Sequence, residues 1–500
     1  MNKQEIIASD GQEFPAASFT QAVLRPAYDE AKRAWLAPMV DIHRAHLIML
    51  HERGLLGDET VRKMAGAIQR LDLDALATSE YDGSHEDLFF TVEDALLQLG
   101  GEEMGSLHMA RSRNDMGMAL NRMVMRPRLL GVLGAALELH ETLTGLAAEH
   151  SATLTLEHTH TQPAQPSILG HRFVAIADVL ERDMGRLRGA YHALNLSPLG
   201  AAALGGTGFP IDRDLVAKLL AFDGIVENTY DAVAGTDYLA QAAQAIELLA
   251  VDTGRSCVDF LVWATAEFGL YRATAPYVQV SSIMPQKRNP VSIEHSRALL
   301  SSAAVSARGV MSMMHNTPFG DIVDTEDDMQ PHMRRATEIT TAALRLLARV
   351  LGTIEINTAL MRQRAIGSFA NATELADSLV RDGGYTFREA HMIVAAVVRR
   401  AVSAGLTDVR QLTAADVAVA GRDLGREVDL DDEWVASALD ADHFVGVRRS
   451  VGGVAPEEVR RMAGDRLGHG RRWRSWIQSE RLRLADAHES LACRVADLAA

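Results

Sequence analysis

The sequence has few cysteines, few prolines and few aromatic residues. Its two cysteines, Cys257 and Cys493, exclude a disulfide framework and a Cys-x-x-Cys metal site, and we predict two reduced thiols. The 14 prolines and the 5% share of aromatics disfavour an extensive sheet, because strands are rich in aromatic and β-branched residues. The 47% hydrophobic share is enough for a large core. The composition therefore predicts an all-α protein built from long helices.

Basic residues are scarce relative to acidic ones. The 50 Lys and Arg residues against 66 Asp and Glu residues leave a net charge of −16. An acidic surface repels phosphate backbones, so we predict no nucleic-acid partner, and an anionic substrate would need local cations. The N-terminus lacks the apolar segment of a signal peptide. The most apolar stretch, 129–148, carries Glu138, His140 and Glu141, which predicts that it does not span a membrane. We expect a cytoplasmic protein.

Apolar residues recur at helical spacing in four long stretches: 115–149, 167–195, 237–270 and 290–315. Helices of this length cannot bury their apolar sides within one thin domain. They must therefore form a bundle within the chain or between chains. From about Glu355 the predicted helices are shorter and more charged, which indicates a separate C-terminal domain. The glycines of 199–208 lack the Lys-Ser/Thr pair of a phosphate-binding loop.

Three polar stretches interrupt these helices, and the first is ARSRNDMG at 110–117. Asn114 or Asp115 can cap the helix that starts here, which explains one polar residue. A cap does not explain Arg111 and Arg113, whose forked guanidinium groups match carboxylates. This stretch is therefore a candidate carboxylate-binding site.

The second polar stretch, EHTHTQPAQPS at 157–167, contains a His-x-His pair. Zinc requires three or four ligands at suitable spacing, and no cysteine lies nearby, so we predict no metal here. The Thr, His and Gln side chains supply neutral donors and a titratable imidazole in a loop broken by Pro163 and Pro166. These groups suit acid–base catalysis and carboxylate binding.

The third polar stretch, VQVSSIMPQKRNP at 278–290, ends at a proline that precedes a helix. A surface loop with a helix-start proline would have this form. That interpretation does not account for the paired Ser281 and Ser282, nor for the cationic Lys287 and Arg288. The stretch is therefore a third candidate for a functional role.

Taken together, the three stretches resemble the motifs of the fumarase/aspartase superfamily. SSIMPQKRNP is similar to the signature Gly-Ser-Ser-x-Met-Pro-x-Lys-x-Asn-Pro, and ARSRND and THTQPAQP are similar to the other motifs of the argininosuccinate lyase family. FPIDRDLVAKLLAFDG (209–224), FREAH (387–391) and RRSVGGVAPEEV (448–459) also look like that family. The resemblance runs from roughly residue 35 to 465.

The resemblance implies a fold, an assembly and an activity. Three helical domains are expected: 1–112, 113–360 with a long central helical bundle, and 361–500. The family forms homotetramers around a twenty-helix core, with each active site shared between three subunits. The implied enzyme is a carbon–nitrogen lyase that uses no cofactor and no metal. Its substrate is a small dicarboxylate, an N-substituted L-aspartate, and its product is fumarate.

The resemblance also implies roles for individual residues. The reaction removes a proton beside a carboxylate and builds a dianion, so a cation and fixed donors are needed. Ser281 matches the general base, and Lys287 and Asn289 match the groups that stabilise the aci-carboxylate. His160 matches the histidine that assists the leaving nitrogen, and Glu294 matches its carboxylate partner. The remaining candidates for substrate binding are Arg113, Asn114, Thr159, Gln162, Ser282 and Gln330.

The sequence departs from the family pattern mainly in the half that binds the amine. Thr325, Glu326 and Asp327 stand where the family has tyrosine, asparagine and lysine, and Met333 replaces a later lysine. Three further changes lie elsewhere: Phe89 replaces a histidine, Ala234–Asp237 lacks an arginine, and Val280 replaces the glycine before the serines.

Two substrates therefore compete, namely argininosuccinate and another N-substituted aspartate such as ethylenediamine disuccinate. The changed amine half favours the second. The alternative from a different class is an inactive structural protein, like the lens crystallins of this family, or a regulatory protein on the same scaffold. The intact Ser281, Lys287 and Asn289 argue against that alternative.

Overall fold

The computed structural model describes residues 2–500, and its N-terminal region is an assembly of short helices. They are α1 (Lys3–Asp10), α2 (Ala17–Phe19), α3 (Arg25–Ala34), α4 (Leu36–Glu52), α5 (Asp58–Gln69), α6 (Leu73–Thr78) and α7 (Leu88–Gly100). We call residues 2–24 the N-terminal arm; it ends in one π-helical turn, Thr20–Leu24. The buried sides of α3, α4, α5 and α7 form one hydrophobic cluster.

The central region is a bundle of long helices. Its helices are α8 (Arg113–Glu149), α9 (Leu169–Leu194), α10 (Arg213–Leu219), α11 (Thr229–Ala234), α12 (Asp237–Trp263), α13 (Val291–Met314) and α14 (Gln330–Leu351). The four predicted long helices are present, although α12 ends at Trp263 rather than near 270. A fifth long helix, α14, is not among those predicted from the sequence.

Short strands connect the helices of the bundle. The antiparallel pairs are β1 (Leu154–Thr159) with β2 (Gln162–Ile168), β5 (Tyr271–Arg272) with β8 (Glu355–Ile356), and β6 (Gln279–Val280) with β7 (Arg288–Asn289). The parallel pair is β3 (Leu196–Ser197) with β4 (Gly224–Ile225). The polar stretch predicted as a loop at 157–167 is therefore mostly a hairpin.

The C-terminal region begins with short helices and ends in a long one. Its helices are α15 (Thr358–Ile366), α16 (Ala372–Arg381), α17 (Phe387–Ser403), α18 (Ala414–Asp423), α19 (Asp432–Ala438), α20 (Ala441–Gly446) and α21 (Pro456–Ala499). The expectation of shorter helices after Glu355 is wrong for α21, which has 44 residues.

Helix α21 links two hydrophobic clusters. Val459 and Trp473 pack into the cluster of the central bundle, whereas Leu491 and Val495 pack into the N-terminal cluster. A third cluster lies between residues 372 and 439. The predicted all-α fold is confirmed, and the domain boundaries at 112 and 360 stay predictions.

By length and composition alone, α8 is apolar enough to cross a membrane, so the prediction that this region is too polar was wrong by that criterion. Most of its apolar window, 61%, is buried inside the protein. Leu129, Leu133 and Ala136 of α8 belong to the bundle's hydrophobic cluster. We therefore describe α8 as the core helix of the bundle.

Hydrogen bonds at the helix ends define the direction of each helix. The Gly170 N–H donates to the carbonyl of His150 at 3.1 Å, which joins the start of α9 to the end of α8. At the opposite end, Asn121 Nδ2 of α8 donates to the carbonyl of Glu326 at 3.0 Å, just before α14 begins. Thus α8 and α14 run one way, and α9 runs the other.

Gln244, in the first part of α12, donates to Met311 Sδ, in the last turn of α13, at 3.5 Å, so α12 and α13 also run in opposite directions. Because α13 leads to the start of α14, α13 runs with α9, and α12 runs with α8. We call the two ends of the bundle the Arg113 end and the Ser281 end.

Candidate active site

The start of α8 holds Arg113 and Asn114 in a defined position. The Ser112 Oγ accepts the Asn114 N–H at 3.3 Å, and the Ser112 N–H donates to Asp115 Oδ1 at 3.0 Å. The second contact belongs to a capping box, in which the Ser112 side chain also accepts from the Asp115 backbone N–H. Ala110, just before it, has a left-handed φ of 62° and turns the chain into the helix. Both candidate side chains therefore lie at a helix N-terminus, where the backbone dipole favours anions.

Asp115 fastens a second loop to this helix start. Its carboxylate is fully buried, and Oδ2 accepts the N–H groups of Gly200 at 2.8 Å and Ala202 at 3.0 Å. Burial raises the pKa of Asp115, and the backbone donors oppose that rise. Gly200 has a φ of +85°, and a side chain there would lie 2.7 Å from Arg213 Cγ. The glycine-containing loop at 199–208 therefore serves as a support for the Arg113 end.

Arg113 and Asn114 already have carboxylate partners within the protomer. Arg113 Nη1 donates to Asp87 Oδ2 at 2.7 Å and lies 3.5 Å from Glu86 Oε1. Its guanidinium also stacks 4.7 Å from the centre of the Phe90 ring. Asn114 Nδ2 donates to Asp321 Oδ2. A substrate carboxylate must share these two donors or displace the acids from them.

An acidic π-helical turn, Asp324–Asp328, lies beside this helix start. Burial, with repulsion from Asp327 and Asp321, raises the pKa of Glu326 to about 7. Burial, with repulsion from Asp328, raises the pKa of Asp327 to about 6. Both carboxyl groups are poorly solvated and lie close to other carboxylates, so a cation bound beside them would be stabilised.

These residues line a cavity of about 420 Å³. Its lining is contributed by the N-terminal arm, α3, α4, the segment 86–89, the start of α8 and the acidic turn with Asp321 and Val323. Among the lining side chains are five carboxylates and one guanidinium: Glu86, Asp87, Asp321, Glu326, Asp327 and Arg113. The cavity therefore has a negative lining that favours a cationic group.

His160 lies at the tip of the β1–β2 hairpin, near the Ser281 end of the bundle. His160 and Thr161 both have left-handed φ angles, 50° and 64°, which form the tight turn. Thr159 and Gln162 pair across the hairpin on either side of it. These four residues are exposed in the protomer, so they are available to a neighbouring subunit.

The serine loop is closed by the β6–β7 pair, which joins Val280 to Arg288 and Gln279 to Asn289. Ser281 Oγ accepts the N–H groups of Met284 at 3.1 Å and Ile283 at 3.4 Å. Hydrogen bonds of this kind stabilise an alkoxide relative to the alcohol. Ser282 and Lys287 are exposed on the loop.

The protomer does not bring the three polar stretches together. Arg113 lies at one end of α8, which at 1.5 Å per residue is about 55 Å long, and His160 follows its other end. Ser281 precedes α13, whose far end leads to the acidic turn about 36 Å away by the same measure.

Two further candidates lie near different stretches. Glu294 is exposed in the first turn of α13, next to the serine loop. Within the described residues 2–500 of one protomer, Glu294 and His160 form no hydrogen bond and no ion pair with each other. Gln330 starts α14 at the Arg113 end, where its Nε2 donates to the Thr325 carbonyl at 3.4 Å.

Three parts of this region were not predicted from the sequence. The N-terminal arm contributes Phe14, Phe19 and Val23 to the cavity, although none of the three motif stretches lies in it. The prediction that Asn114 or Asp115 is the N-cap was wrong, because Ser112 is the N-cap of α8. Asp115 lies three residues later, where its carboxylate completes the capping box and also holds the 199–208 loop. The run of acids at 324–328 was the one visible signal of the cavity's charge.

In the described part of the chain, no group of three or more His, Cys, Asp or Glu side chains lies close enough together to hold a metal ion. His158 and His160 therefore have no further ligand within the protomer. The absence of a cofactor stays a prediction.

Comparison with known proteins identifies the group to which this fold and these loops belong. A lyase family model matches residues 76–305, and an argininosuccinate lyase C-terminal model matches residues 369–446. A structure of an EDDS lyase variant with bound fumarate superimposes with a TM-score of 0.85 at 30% identity, covering 100% of this chain and 99% of that chain. EDDS lyase in complex with formate gives a TM-score of 0.84 at 31% identity, covering 99% and 98%. The fold and the motif loops thus define a fumarase/aspartase-type lyase.

The sequence relatives narrow this class. Argininosuccinate lyase 2 of Agrobacterium fabrum is 41% identical over 456 residues, covering 90% of each chain. The argininosuccinate lyase of Methanothermobacter thermautotrophicus is 34% identical over 444 residues, covering 88% of this chain and 93% of the relative. The chain belongs to the argininosuccinate lyase family and is a carbon–nitrogen lyase of the fumarate-releasing type.

Proposed function

We propose that this enzyme eliminates an amine from an N-substituted L-aspartate and releases fumarate. A base removes the proton beside a carboxylate, and the neighbouring carbon–nitrogen bond then breaks. The intermediate carries a second negative charge on that carboxylate, so stabilising a dianion is the main catalytic requirement. The observation that carries the proposal is the presence of all three motif loops at bundle ends, on a chain whose relatives are lyases.

Ser281 acts as the general base in this proposal. The two backbone N–H groups that its Oγ accepts favour the deprotonated form. Lys287 and Asn289, on the same loop, stabilise the aci-carboxylate. Lys287 is anchored through its backbone N–H, which donates to the Met284 carbonyl at 3.0 Å and leaves the ammonium group free to act.

The remaining motif residues hold the substrate and assist the leaving group. His160, with Glu294 as its partner, helps the leaving nitrogen to accept a proton. The fumarate half of the substrate is held by Arg113, Asn114, Thr159, Ser282, Gln162 and Gln330. The helix N-terminus under Arg113 and Asn114 supports this assignment, because it attracts a carboxylate.

We also propose that the enzyme is a cytoplasmic homotetramer with active sites shared between subunits. The separation of Arg113 from Ser281 by the length of the bundle supports sharing, because one protomer cannot complete the site. The exposed side of α12 supports association, since it carries Leu248, Val251, Val258 and Val262 at helical spacing. Val305 on α13 is 72% exposed and extends this apolar surface.

The amine half of the site is built from the acidic cavity. Argininosuccinate presents a guanidinium, an ammonium and a carboxylate there, and the carboxylate would face five acids with one neighbouring arginine. An unpaired buried polar group costs several powers of ten in selectivity. We therefore propose that argininosuccinate is a poor substrate and that another N-substituted aspartate is better. Ethylenediamine disuccinate is one candidate to be compared, although its leaving amine carries two carboxylates that would face the same acids.

The test is to follow fumarate absorbance while the purified enzyme turns over argininosuccinate, ethylenediamine disuccinate and a series of simpler N-alkyl aspartates. We expect kcat/KM for argininosuccinate to be lower than for at least one of the others by tenfold or more, roughly the effect of one mismatched polar group. A wide margin in favour of argininosuccinate would restore that compound as the substrate. No turnover of any of them would favour the structural or regulatory alternative.

A further inference from the structure

The N-terminal arm supplies an apolar wall to the acidic cavity. Phe14, Phe19 and Val23 line the same cavity as Arg113 and Glu326. The arm precedes the first family motif by about 90 residues, so chain proximity does not explain this contact. It places large apolar side chains in the same cavity as the charged residues of the site.

These aromatic side chains are unusually exposed for their size. Phe14 is 67% exposed and Phe19 is 38% exposed, although their ring centres lie only 5.9 Å apart. Leaving such apolar area in contact with water costs free energy, and covering it with a ligand recovers that cost. Tyr28 and Trp35 add two further aromatic side chains to the cavity lining.

The two walls of the cavity select for opposite properties in a ligand. The arm offers apolar contact, while Glu326 and Asp327 repel a carboxylate and attract a cation. A substituent that ends in a carboxylate would be repelled by Glu326 and Asp327. It would also leave Phe14 and Phe19 in contact with water. A hydrocarbon amine makes apolar contact with the arm residues, and its ammonium group is attracted by Glu326 and Asp327.

We propose that the N-terminal arm is the specificity-determining wall of the amine subsite, and that the leaving amine is a hydrophobic cation without a carboxylate. Among the candidates of the proposed function this favours a simple N-alkyl aspartate over ethylenediamine disuccinate, whose leaving amine carries two carboxylates. This inference rests on the proposed function, since it assumes that the cavity beside Arg113 and Asn114 receives the amine half. Phe14 and Phe19 determine which amine is accepted and take no part in the proton transfers.

The first experiment compares substrates of equal length that differ at one end. N-Hexyl-L-aspartate and N-(5-carboxypentyl)-L-aspartate are assayed with the wild type, and N-methyl-L-aspartate serves as a substrate too short to reach the arm. We expect a preference of about tenfold or more in kcat/KM for the hexyl compound over the carboxypentyl compound, because apolar contacts in a pocket have effects of this size. An equal or reversed preference would overturn the inference.

The second experiment tests the arm itself. The double variant Phe14→Ala/Phe19→Ala should lose about tenfold in kcat/KM for the hexyl compound while its kcat/KM for N-methyl-L-aspartate changes less than about threefold. Phe387→Ala is the matched control, because Phe387 is 63% exposed on α17, far from the cavity lining. A hexyl preference that survives in the double variant would rule out the arm as the wall.

A binding measurement separates this inference from the lyase proposal. Hexylamine binding to the wild type and to the double variant is measured by calorimetry in the absence of any aspartate. We expect the wild type to bind hexylamine at least about fivefold more tightly than the double variant does. If the wild type turns over no aspartate derivative but this difference remains, the lyase proposal fails and the cavity assignment stands. Equal binding by both proteins would refute the role of the arm, whatever the turnover.

Discussion

The carboxylate of Glu326 lies against the backbone of Gly117, at the position that a side chain on residue 117 would occupy. An ideal β-carbon on Gly117 would be 2.7 Å from Glu326 Oε1. The Glu326 side chain therefore approaches α8 this closely because residue 117 has no side chain. The contact lies one turn along α8 from the candidate substrate donors Arg113 and Asn114.

The Gly117→Ala variant should push the Glu326 carboxylate away without unfolding the protein. The displaced group is the end of a flexible side chain, so the helix tolerates the methyl group. We expect kcat/KM for a cationic N-substituted aspartate to fall about tenfold, with little change in inhibition by fumarate. Gly145→Ala in the same helix is the control, because nothing lies within 4 Å of its added methyl group. Equal losses in both variants would contradict a specific role for Glu326.

The activity should depend on the ionisation of Glu326. Its pKa is raised to about 7 by burial, so the carboxylate that attracts a cation is present above pH 7 and is lost as the pH falls below it. We expect kcat/KM for a cationic substrate to fall about tenfold per pH unit below that point. Glu326→Gln should remove this limb of the profile, and Asp423→Asn should keep it. A wild-type profile that stays flat between pH 5 and pH 8 would contradict the assignment.

The same raised pKa predicts a change in stability. A solvated glutamate has a pKa of 4.5, so between about pH 4.5 and pH 7 the folded protein holds a proton on Glu326 that the unfolded chain has released. The contribution of Glu326 to the free energy of unfolding therefore falls as the pH rises through this range. Chemical denaturation of the wild type and of Glu326→Gln at pH 5 and pH 8 measures it. The free energy of unfolding of Glu326→Gln, relative to that of the wild type, should be higher at pH 8 than at pH 5.

Ser281→Ala should abolish nearly all turnover and keep the fold. Removing a general base typically lowers the rate by about 10²–10⁴-fold. The serine is partly exposed on a loop outside the hydrophobic clusters, so its loss should leave the helical circular dichroism and the oligomeric state unchanged. Ser301→Ala, on the exposed side of α13, is the control for a serine-to-alanine change outside the serine loop. Normal activity in folded Ser281→Ala would remove this residue from the base role.

Mixed oligomers should reveal whether sites are shared. His160→Asn and Lys287→Met should each be inactive alone. If His160 and Lys287 of one site come from different chains, about a quarter of the sites formed after co-refolding equal amounts carry neither lesion. Fumarate release by the mixture, against each variant refolded alone, measures this recovery. No recovery after mixing has been verified by mass would count against shared sites.

Asp115→Asn should weaken the support under Arg113 and Asn114. The amide cannot accept from the N–H groups of Ser112, Gly200 and Ala202 as the buried carboxylate does. We expect a loss of roughly 2 kcal/mol of stability or more and a rise in the inhibition constant of fumarate of about tenfold. Asp431→Asn, at the N-cap of α19, is the matched control for an Asp-to-Asn change at a helix start. An unchanged fumarate constant in folded Asp115→Asn would limit Asp115 to a structural role.

The helical pattern and the motif residues were readable from the sequence because both depend on short-range spacing. Apolar residues three and four positions apart predict a helix without any knowledge of its neighbours. The α14 segment was missed because it starts at Gln330-Pro331 and mixes threonine and arginine with its apolar side. The β1–β2 hairpin was missed because Pro163 and Pro166 are rare in strands.

The sequence by itself determined the helix-rich fold and the family, and it predicts the fumarate half of the candidate site, because each depends on residues that are close together in the chain. Only the tertiary structure decided that α21 packs back onto α8 and joins two hydrophobic clusters. It also decided that the arm, Asp87 and the acidic turn meet around Arg113, and that Arg113 and Ser281 lie at opposite ends of the bundle. The physical reason is that helix formation follows local periodicity, whereas contacts between residues hundreds of positions apart depend on how whole helices pack.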